Sequence, residues 1–523
     1  MAEAAAPTDV ASARAAPTPG TAKPLFSEAY RRGVLFTLTA CYTLNFIDRT
    51  IIGIIGQPMK ESLGITDAEL GLLGGLAFAA LYTILGVPLA RLAERISRVN
   101  IMAVCITLWS AFTALSGVAP NFGVLLAARI GVGIGEAGCS PPAQSLISDY
   151  FEPERRASAL GVYAFGIPLG AMLGAIFGGL IAQFFSWRAA FLVVGLPGVL
   201  VAIALKLMVK EPPRGHSETV AQPALAEALA PAEEPAHAPR GLVGEIRFEI
   251  AELAAVGKRI FGTWSFLNMT LGVTLASFAG YGAGQFSSPY FIRAFGLGIA
   301  VVGVVFGLIG GVSAGAGTLV GGFFTDWLSR RSRAWYALVP GFGLAIATPI
   351  YILAFTRSDW RVAAATLLLP GLFQYTYLAP TFGVIQNAVD NRRRATATAL
   401  LYLFLNFIAL GGGPPFTGWL IDQFAQFNFT HPGPHRIWES LVQIFVHGGA
   451  AGGDLAAACP GGVPKKGLAA ALTAGCRPAV IEATREGEIV TFFFYAWGAL
   501  HYFLAALTLS RDLRRAAQER GVA

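Results

Sequence analysis

The chain has 523 residues, of which 13% are charged and 54% are apolar before its 62 glycines are counted. Soluble domains carry about 25% charge, so this chain cannot clothe several of them in water. Its wealth of Phe, Leu, Ile and Val excludes low-complexity disorder over most of its length. The exterior must face hydrocarbon, and the net charge of +7 needs an explanation by position.

In chain order, residues 1–29 are rich in Ala, Pro and Thr with no long apolar run, so a disordered cytoplasmic tail is expected, not a signal peptide. Twelve segments are long enough to cross about 30 Å of hydrocarbon. They are spans 1–12: residues 33–57, 70–90, 99–117, 122–147, 159–183, 189–209, 264–291, 302–326, 336–355, 361–388, 396–420 and 489–509. Six fall in an N-terminal bundle, 30–210, and six in a C-terminal bundle, 264–509. Residues 211–263 form a cytoplasmic linker, Ala/Pro/Glu-rich and disordered around 221–239, with an amphipathic helix predicted from Leu242 to Arg259. Residues 421–488 form a long outer loop, where Cys459 and Cys476 can pair if that side is oxidising. Residues 510–523 form a second tail. Sustained apolar/polar alternation is missing, which argues against a β-barrel.

The short loops fall into two sets. After spans 2, 4, 8 and 10 they carry Arg91, Arg95 and Arg98; Arg155 and Arg156; Arg330, Arg331 and Arg333; and Arg392, Arg393 and Arg394. The opposite loops carry only Lys60, Arg188, Arg293, Arg357 and Arg361. Positive charge stays in the cytoplasm, so both termini are expected there. The basic residues thus serve as topology anchors, and nucleic acid is excluded as a partner. A plasma membrane location follows, the inner membrane in a Gram-negative cell.

Two loops repeat. Leu92-Ala93-Glu94-Arg95-Ile96-Ser97-Arg98 follows span 2, and Phe324-Thr325-Asp326-Trp327-Leu328-Ser329-Arg330-Arg331 follows span 8. Each places an acid, a Ser and Arg in one order, about half a chain apart, which indicates a duplicated six-helix unit with a site between the halves. The acid of each loop is expected to receive an Arg while the protein faces outward. Glu94, Arg95, Arg98, Asp326, Arg330 and Arg331 are the expected gating residues.

The first loop resembles the signature that the major facilitator superfamily carries after span 2, with Glu94 for its usual Asp and Ala90 for its usual Gly. Trp187-Arg188-Ala189-Ala190-Phe191 resembles that superfamily's start of span 6. Within it, Asn45-Phe46-Ile47-Asp48-Arg49, Arg129-Ile130-Gly131-Val132-Gly133-Ile134-Gly135-Glu136-Ala137 and Glu211-Pro212-Pro213-Arg214-Gly215 are similar to the Spinster branch. The resemblance implies an all-α integral membrane protein with twelve transmembrane helices in two pseudo-symmetric six-helix halves, the major facilitator fold. It also implies proton-coupled secondary transport, of sphingolipid- or lysophospholipid-like molecules in that branch. The second half matches less specifically.

Few charges lie deep in the spans: Asp48, Arg49, Arg129, Glu136 and His501. A charge at the bilayer centre costs about 2.5–3.5 kcal/mol on insertion scales, so such residues mark function. Helical rise places Asp48 and Arg129 at similar depth, about 20–22 Å from the inner face. Glu136 follows Arg129 by two turns on the same helix face. Asp48 and Glu136 are therefore the predicted proton carriers, with Arg49 and Arg129 exchanging partners between states. His501 is expected only to pack or to hydrogen-bond.

Spans 1, 4, 7 and 10 line the cavity in this superfamily. Here they supply Tyr42, Asn45 and Phe46; Tyr281, Gln285 and Phe286; and Gln374, Tyr375 and Tyr377, with Asn406 from span 11. A charged side facing an aromatic, amide-bearing side suits an amphipathic lipid-like or organic anion. A small carboxylate or sugar acid taken up with protons remains an alternative, as does a non-transporting receptor on the same fold. Five cysteines without a C-x-x-C pair give no metal framework. The run from Gly133 to Gly138 and the run from Gly311 to Gly315 imitate nucleotide and hydrolase motifs but lack the strand context those motifs need. Neither an enzyme nor a cofactor is expected. The protein is expected to work as a monomer among membrane lipids. Gly303, Gly307, Gly311 and Gly315 in span 8, and Gly170, Gly174 and Gly178 in span 5, predict close helix contacts.

Overall fold

The computed structural model describes residues 25–214, 242–389, 393–433, 437–446, 455–465 and 470–519. The first tail up to residue 24 and the linker stretch 221–239 lie outside them; the tail was expected to run to residue 29, but Glu28 and Ala29 already begin span 1. Among the described residues the secondary structure is helical, without strands. Span 1 is Glu28–Leu63, capped by Ser27 accepting from the Tyr30 N–H. It ends at Gly64, whose φ of 67° only glycine adopts without strain. The short helix Asp67–Gly74 leads into span 2, Leu76–Arg95. Spans 3 and 6 are Arg98–Val118 and Trp187–Met208. In the second half, span 7 is Trp264–Phe295, span 8 is Ile299–Ser329 and span 9 is Trp335–Phe355.

Among the described residues, eleven helical segments are long and apolar enough to cross a membrane on length and composition. Span 7 is the twelfth expected span, and it falls outside that set. Its polarity has a physical reason. Thr270, Thr274 and Ser287 are buried and return their hydroxyls to the carbonyls one turn back. Such satisfied hydroxyls let a central helix be polar without exposing polar groups to lipid.

Spans 4, 5, 10 and 11 are broken. Span 4 runs Phe122–Glu136, then Ser140–Tyr150; Pro141 and Pro142 lack the N–H groups that would continue the ladder. Span 5 breaks at Phe165, between Pro153–Ala164 and Gly166–Phe184, just before Pro168. Span 10 passes from Trp360–Gln374 through a 3₁₀ turn, Tyr375–Tyr377, into Leu378–Asn387. Span 11 passes from Arg394–Leu403 through a π-helical stretch, Phe404–Leu410, into Gly411–Thr430.

Two boundaries differ from expectation. Span 11 runs on to Thr430 and span 12 is Ala470–Glu519, so the outer loop is shorter than 421–488. Span 12 also takes up most of the expected tail 510–523. Arg, Leu, Ala and Gln favour helix there, and Arg515 pairs with Glu519 one turn on at 3.0 Å. The loop holds the helix Ile437–Phe445 and a small knot, 455–462, clipped to span 12 by the disulfide Cys459–Cys476. Asn428, part of a glycosylation-like triplet with Thr430, is buried and donates to Glu486 at 2.9 Å. The amphipathic segment is a helix, Leu242–Phe261, held to the second half by Arg393–Glu252 at 2.9 Å and Arg259–Glu519 at 2.5 Å.

We call the end bearing the Arg-rich loops the basic end and its opposite the far end. The packed interior has three parts. One belongs to the second half, from Val256 to Ala516; one belongs mainly to the first half near the basic end, from Val34 to Val209. The third is shared: Ile51, Ile55 and Phe191 from the first half meet Phe286, Leu420 and Phe424 from the second. This shared core lies at the far end.

Candidate functional site

Span 1 places Asp48 and Arg49 side by side in the first half, and span 4 brings Arg129 and Glu136 against them. Arg129 Nη1 lies 3.0 Å from Asp48 Oδ2, and Thr113 donates to Asp48 Oδ1 at 2.8 Å. Arg49 Nε donates to Glu136 Oε2 at 2.7 Å. Asp48, Arg129 and Glu136 are at most 2% exposed. The Arg49 side chain is 18% exposed and is the cation that reaches open space. Two acids and two bases thus form a neutral buried cluster, which lowers the cost of holding charge in hydrocarbon. Its hydrogen bonding is incomplete. Glu136 Oε1, Arg129 Nε and Asn45 Oδ1 are buried with no described partner. Glu136 is the last residue before the break in span 4, so the chain can move there with little loss of helix.

Aromatic rings enclose Arg49. Its guanidinium carbon is 4.7 Å from the centroids of both Phe78 and Tyr82, and 5.2 Å from that of Phe46. Phe78 also faces Arg129, at 5.9 Å, so one ring lies between the two cations. Each such contact contributes about 0.5–2 kcal/mol and holds a cation whose acid partner has left. Phe78 and Tyr82 were not expected at the site. The signal was one turn of spacing in span 2, aromatic at both positions.

The expected cavity residues divide. Tyr42 stacks on Tyr163 at 4.3 Å and packs edge-on to Phe46 at 5.2 Å. Tyr281 is 41% exposed, and the charge of Arg49 reaches the hydroxyls of Tyr42, Tyr281 and Tyr402. Tyr375 is half-buried beside Tyr281, and Asn406 is half-buried within the π stretch of span 11. Five are buried here: Asn45, Gln285, Phe286, Gln374 and Tyr377. Phe286 is wholly buried in the shared far-end core. Gln285 is buried against Gly74, where only a glycine leaves room for it. Tyr377 is buried and bonded to Ser277 at 3.1 Å. Gln374 accepts from Tyr351, which fixes its amide. Asn45 is buried beside the charge cluster. His501 meets Asn268 at 2.8 Å, a hydrogen-bonded histidine as expected.

A second polar cluster closes the far end. Arg293 of span 7 grips Asp67 with both Nη atoms, at 2.7 and 3.1 Å, and Lys60 Nζ is 2.5 Å from the same carboxylate. Arg293 also donates to Gln57 at 2.7 Å and to Thr484 at 2.8 Å. Asp422 of span 11 accepts the backbone N–H groups of Asp67 and Ala68 at 3.0 and 2.7 Å, at the positive end of the short helix. Gln57 reaches Gly461 in the disulfide-clipped knot at 2.9 Å. The sequence alone places Lys60 and Arg293 in loops. Two basic residues on the side that the charge rule leaves poor in them were the available signal. Asp67, Asp422 and Gln57 gave none.

The small faces of spans 5 and 8 make close helix contacts as expected, with partners the spacing did not name. Gly170, Gly174 and Gly178 face span 1, whereas Gly179 meets Gly303, and a Cβ on Gly303 would lie 3.0 Å from the Gly179 Cα. Gly307 and Gly311 continue the contact against Met172. A Cβ on Gly315, one turn further toward the basic end on the same face, would meet nothing within 4 Å. The halves therefore touch at the far end and part toward the basic end.

The basic-end loops fit that geometry. Arg98 is buried within the first half, bonded to Asp149 at 2.5 Å, Glu211 at 2.7 Å and Ser145 at 2.7 Å. It therefore braces spans 3, 4 and 6 and is not free to latch. Asp326 is exposed and, among the described residues, pairs with no arginine; its carbonyl accepts from Ser329 at 2.9 Å. Arg331 lies over Trp327 at 5.3 Å, and Arg95 and Arg330 are exposed. The Glu94 side chain lies outside what the structure describes.

A family profile described as Major Facilitator Superfamily matches residues 38–347. A crystal structure of a bacterial homolog to human lysosomal transporter, Spinster, in inward-facing and occupied conformation superposes with a TM-score of 0.75. It is 32% identical, and the match covers 93% of this chain and 99% of that one. An MFS-type efflux pump of Mycolicibacterium smegmatis is 31% identical over 386 residues, 73% of this chain and 82% of the relative. A probable L-galactonate transporter of Escherichia coli is 25% identical over 394 residues, 74% of this chain and 82% of the relative.

Proposed function

Because the chain belongs to the Major Facilitator Superfamily and is a multi-pass transporter of the Spinster type, we propose that it is a proton-coupled secondary transporter of an amphipathic organic anion. The observation that carries this reading is the position of Arg49. It is the one member of the charge cluster that reaches open space, it bonds Glu136 at 2.7 Å, and it stands among aromatic rings. A substrate anion that takes Arg49 strips Glu136 of its counter-ion, and a proton on Glu136 frees Arg49 for the anion. Proton and substrate then favour each other through one shared cation, which is a coupling free energy between two sites. Asp48 and Arg129 complete the exchange, since Arg49 can pass to Asp48 across Phe78. The aromatic wall, Tyr42, Phe46, Tyr82, Tyr281 and Tyr402, favours a cargo with an apolar body, as in a lysolipid. The basic end is the cytoplasmic one in this reading, with both termini there, and the structure corresponds to the inward-open state of a monomer in the plasma membrane.

The similarity to a probable L-galactonate transporter favours a second reading, a small sugar acid as cargo. Counterflow in proteoliposomes separates the two. Vesicles loaded with unlabelled lysophospholipid or sphingoid phosphate are expected to accumulate the labelled compound, while those loaded with galactonate are not. Accumulation of the sugar acid alone would overturn the lipid-like reading and leave the transporter assignment intact.

A further inference from the structure

At the basic end, far from the charge cluster, the loop after span 8 and the last turns of span 12 surround a hollow of about 390 Å³. Arg330, Arg331 and Arg333 enter from the loop, and Arg514 enters from span 12; Ser332 and Ser510 stand between them. Among the described residues no acid lines the hollow, and none of the four arginines pairs with a carboxylate. Asp326, one turn before the loop, is exposed but does not line the hollow; the acids of span 12 are engaged elsewhere. Asp512 accepts from Ser265 at 2.8 Å and from Arg511 at 3.2 Å, and Glu519 pairs with Arg515 at 3.0 Å and Arg259 at 2.5 Å. The topology rule explains arginines in a basic loop. It gives no reason for a distant helix end to add its own to the same hollow with no acid among the lining residues.

We propose that this hollow binds the phosphodiester head group of an anionic phospholipid. Guanidinium groups match phosphate oxygens with two parallel hydrogen bonds, and serine hydroxyls add neutral donors. The neighbouring surface selects a lipid over free phosphate. Phe323, Phe324, Trp327 and Leu507, on the same two helices, are between 48% and 77% exposed and form an apolar rim beside the cations. A head group in the hollow leaves its acyl chains along that rim, and an exposed Trp suits the membrane interface. Basic pockets between helix ends at a membrane surface recognise anionic lipids in this way. Such a lipid would tie the basic end of span 8, which carries the expected gating residue Asp326, to span 12. The proposal rests on the membrane placement above but not on proton coupling or on the cargo.

The test is native mass spectrometry of the purified full chain with equimolar phosphatidylglycerol and phosphatidylcholine, repeated with excess inorganic phosphate. The wild type is expected to retain phosphatidylglycerol about tenfold over phosphatidylcholine, and phosphate is expected not to displace it. Arg333→Gln with Arg514→Gln is expected to remove most of that preference, and Arg333→Lys with Arg514→Lys to keep part of it. Equal retention of the two lipids by the wild type needs no variant and would refute the site. An unchanged preference in the Gln pair would refute these residues. Displacement by phosphate alone would make it a free-anion site and refute the lipid.

Discussion

Asp67 answers for three charges at once. It holds Arg293 and Lys60, all three nearly wholly buried, while its own backbone N–H is held by Asp422. Removing one partner from such a group strands the others, at a cost of roughly 3–5 kcal/mol. Asp67→Asn is therefore expected to lower the thermal midpoint of the purified protein and to speed alkylation of a cysteine placed at Gln57. Unchanged labelling would mean that the far end is closed by apolar packing alone. At the other end, Glu211 lies just beyond span 6. Burial alone would raise its carboxyl above the usual 4.5, but hydrogen bonds from Arg98, the Val99 N–H and Ser97 outweigh it and hold the carboxyl lower. A depressed folded value gives stability that is complete above the unfolded value and is lost as pH falls through the folded one. Melting curves between pH 7 and pH 3 are expected to show an acid-side loss in the wild type that Glu211→Gln flattens, with the variant already less stable at pH 7.

Helix breaks coincide with the residues of the candidate site. Glu136 ends the first part of span 4, Tyr375 and Tyr377 form the 3₁₀ turn of span 10, and Asn406 lies in the π stretch of span 11. Interrupted helices of this kind line binding sites in transporters, where a cavity or a neighbour satisfies the freed backbone groups. Hydropathy registers the spans and is blind to these interruptions, so the proline pairs Pro141-Pro142 and Pro414-Pro415 were the legible trace. The glycine faces were legible as close contacts, but not their partners, since a four-residue spacing does not say which helix arrives. Span 8 offers a direct contrast. Gly303→Val must push into the span 5 backbone and is expected to destabilise the far-end-closed state. Gly315→Ala faces open space and is expected to raise stability by up to about 1 kcal/mol, because alanine loses less backbone freedom in a helix. Thermal midpoints of the two variants in one detergent check this. A Gly303→Val protein as stable as Gly315→Ala would mean that spans 5 and 8 do not meet as described.

The duplicated architecture, the charge-poor exterior and the four deep charges were readable from the sequence because each leaves a pattern in one dimension. Helical rise sufficed to match Asp48 with Arg129, and the structure joins them at 3.0 Å. The far-end network was not readable. It joins residues 57, 60, 67, 293, 422 and 484 across both halves, and each looks ordinary in its own segment. That network, with the shared core, is also what sets the conformation: closed at the far end, parted at the basic end. A transporter in this state must break it to reverse, and the proposed exchange at Arg49 supplies the reason to do so in step with a proton. Proteoliposomes carrying the transported substrate test that claim most directly, comparing uptake driven by an imposed pH gradient with counterflow at equal pH, for the wild type and Glu136→Gln. The account predicts that Glu136→Gln keeps counterflow and loses the response to the gradient. Gradient-driven accumulation that survives in a correctly inserted Glu136→Gln protein would contradict it.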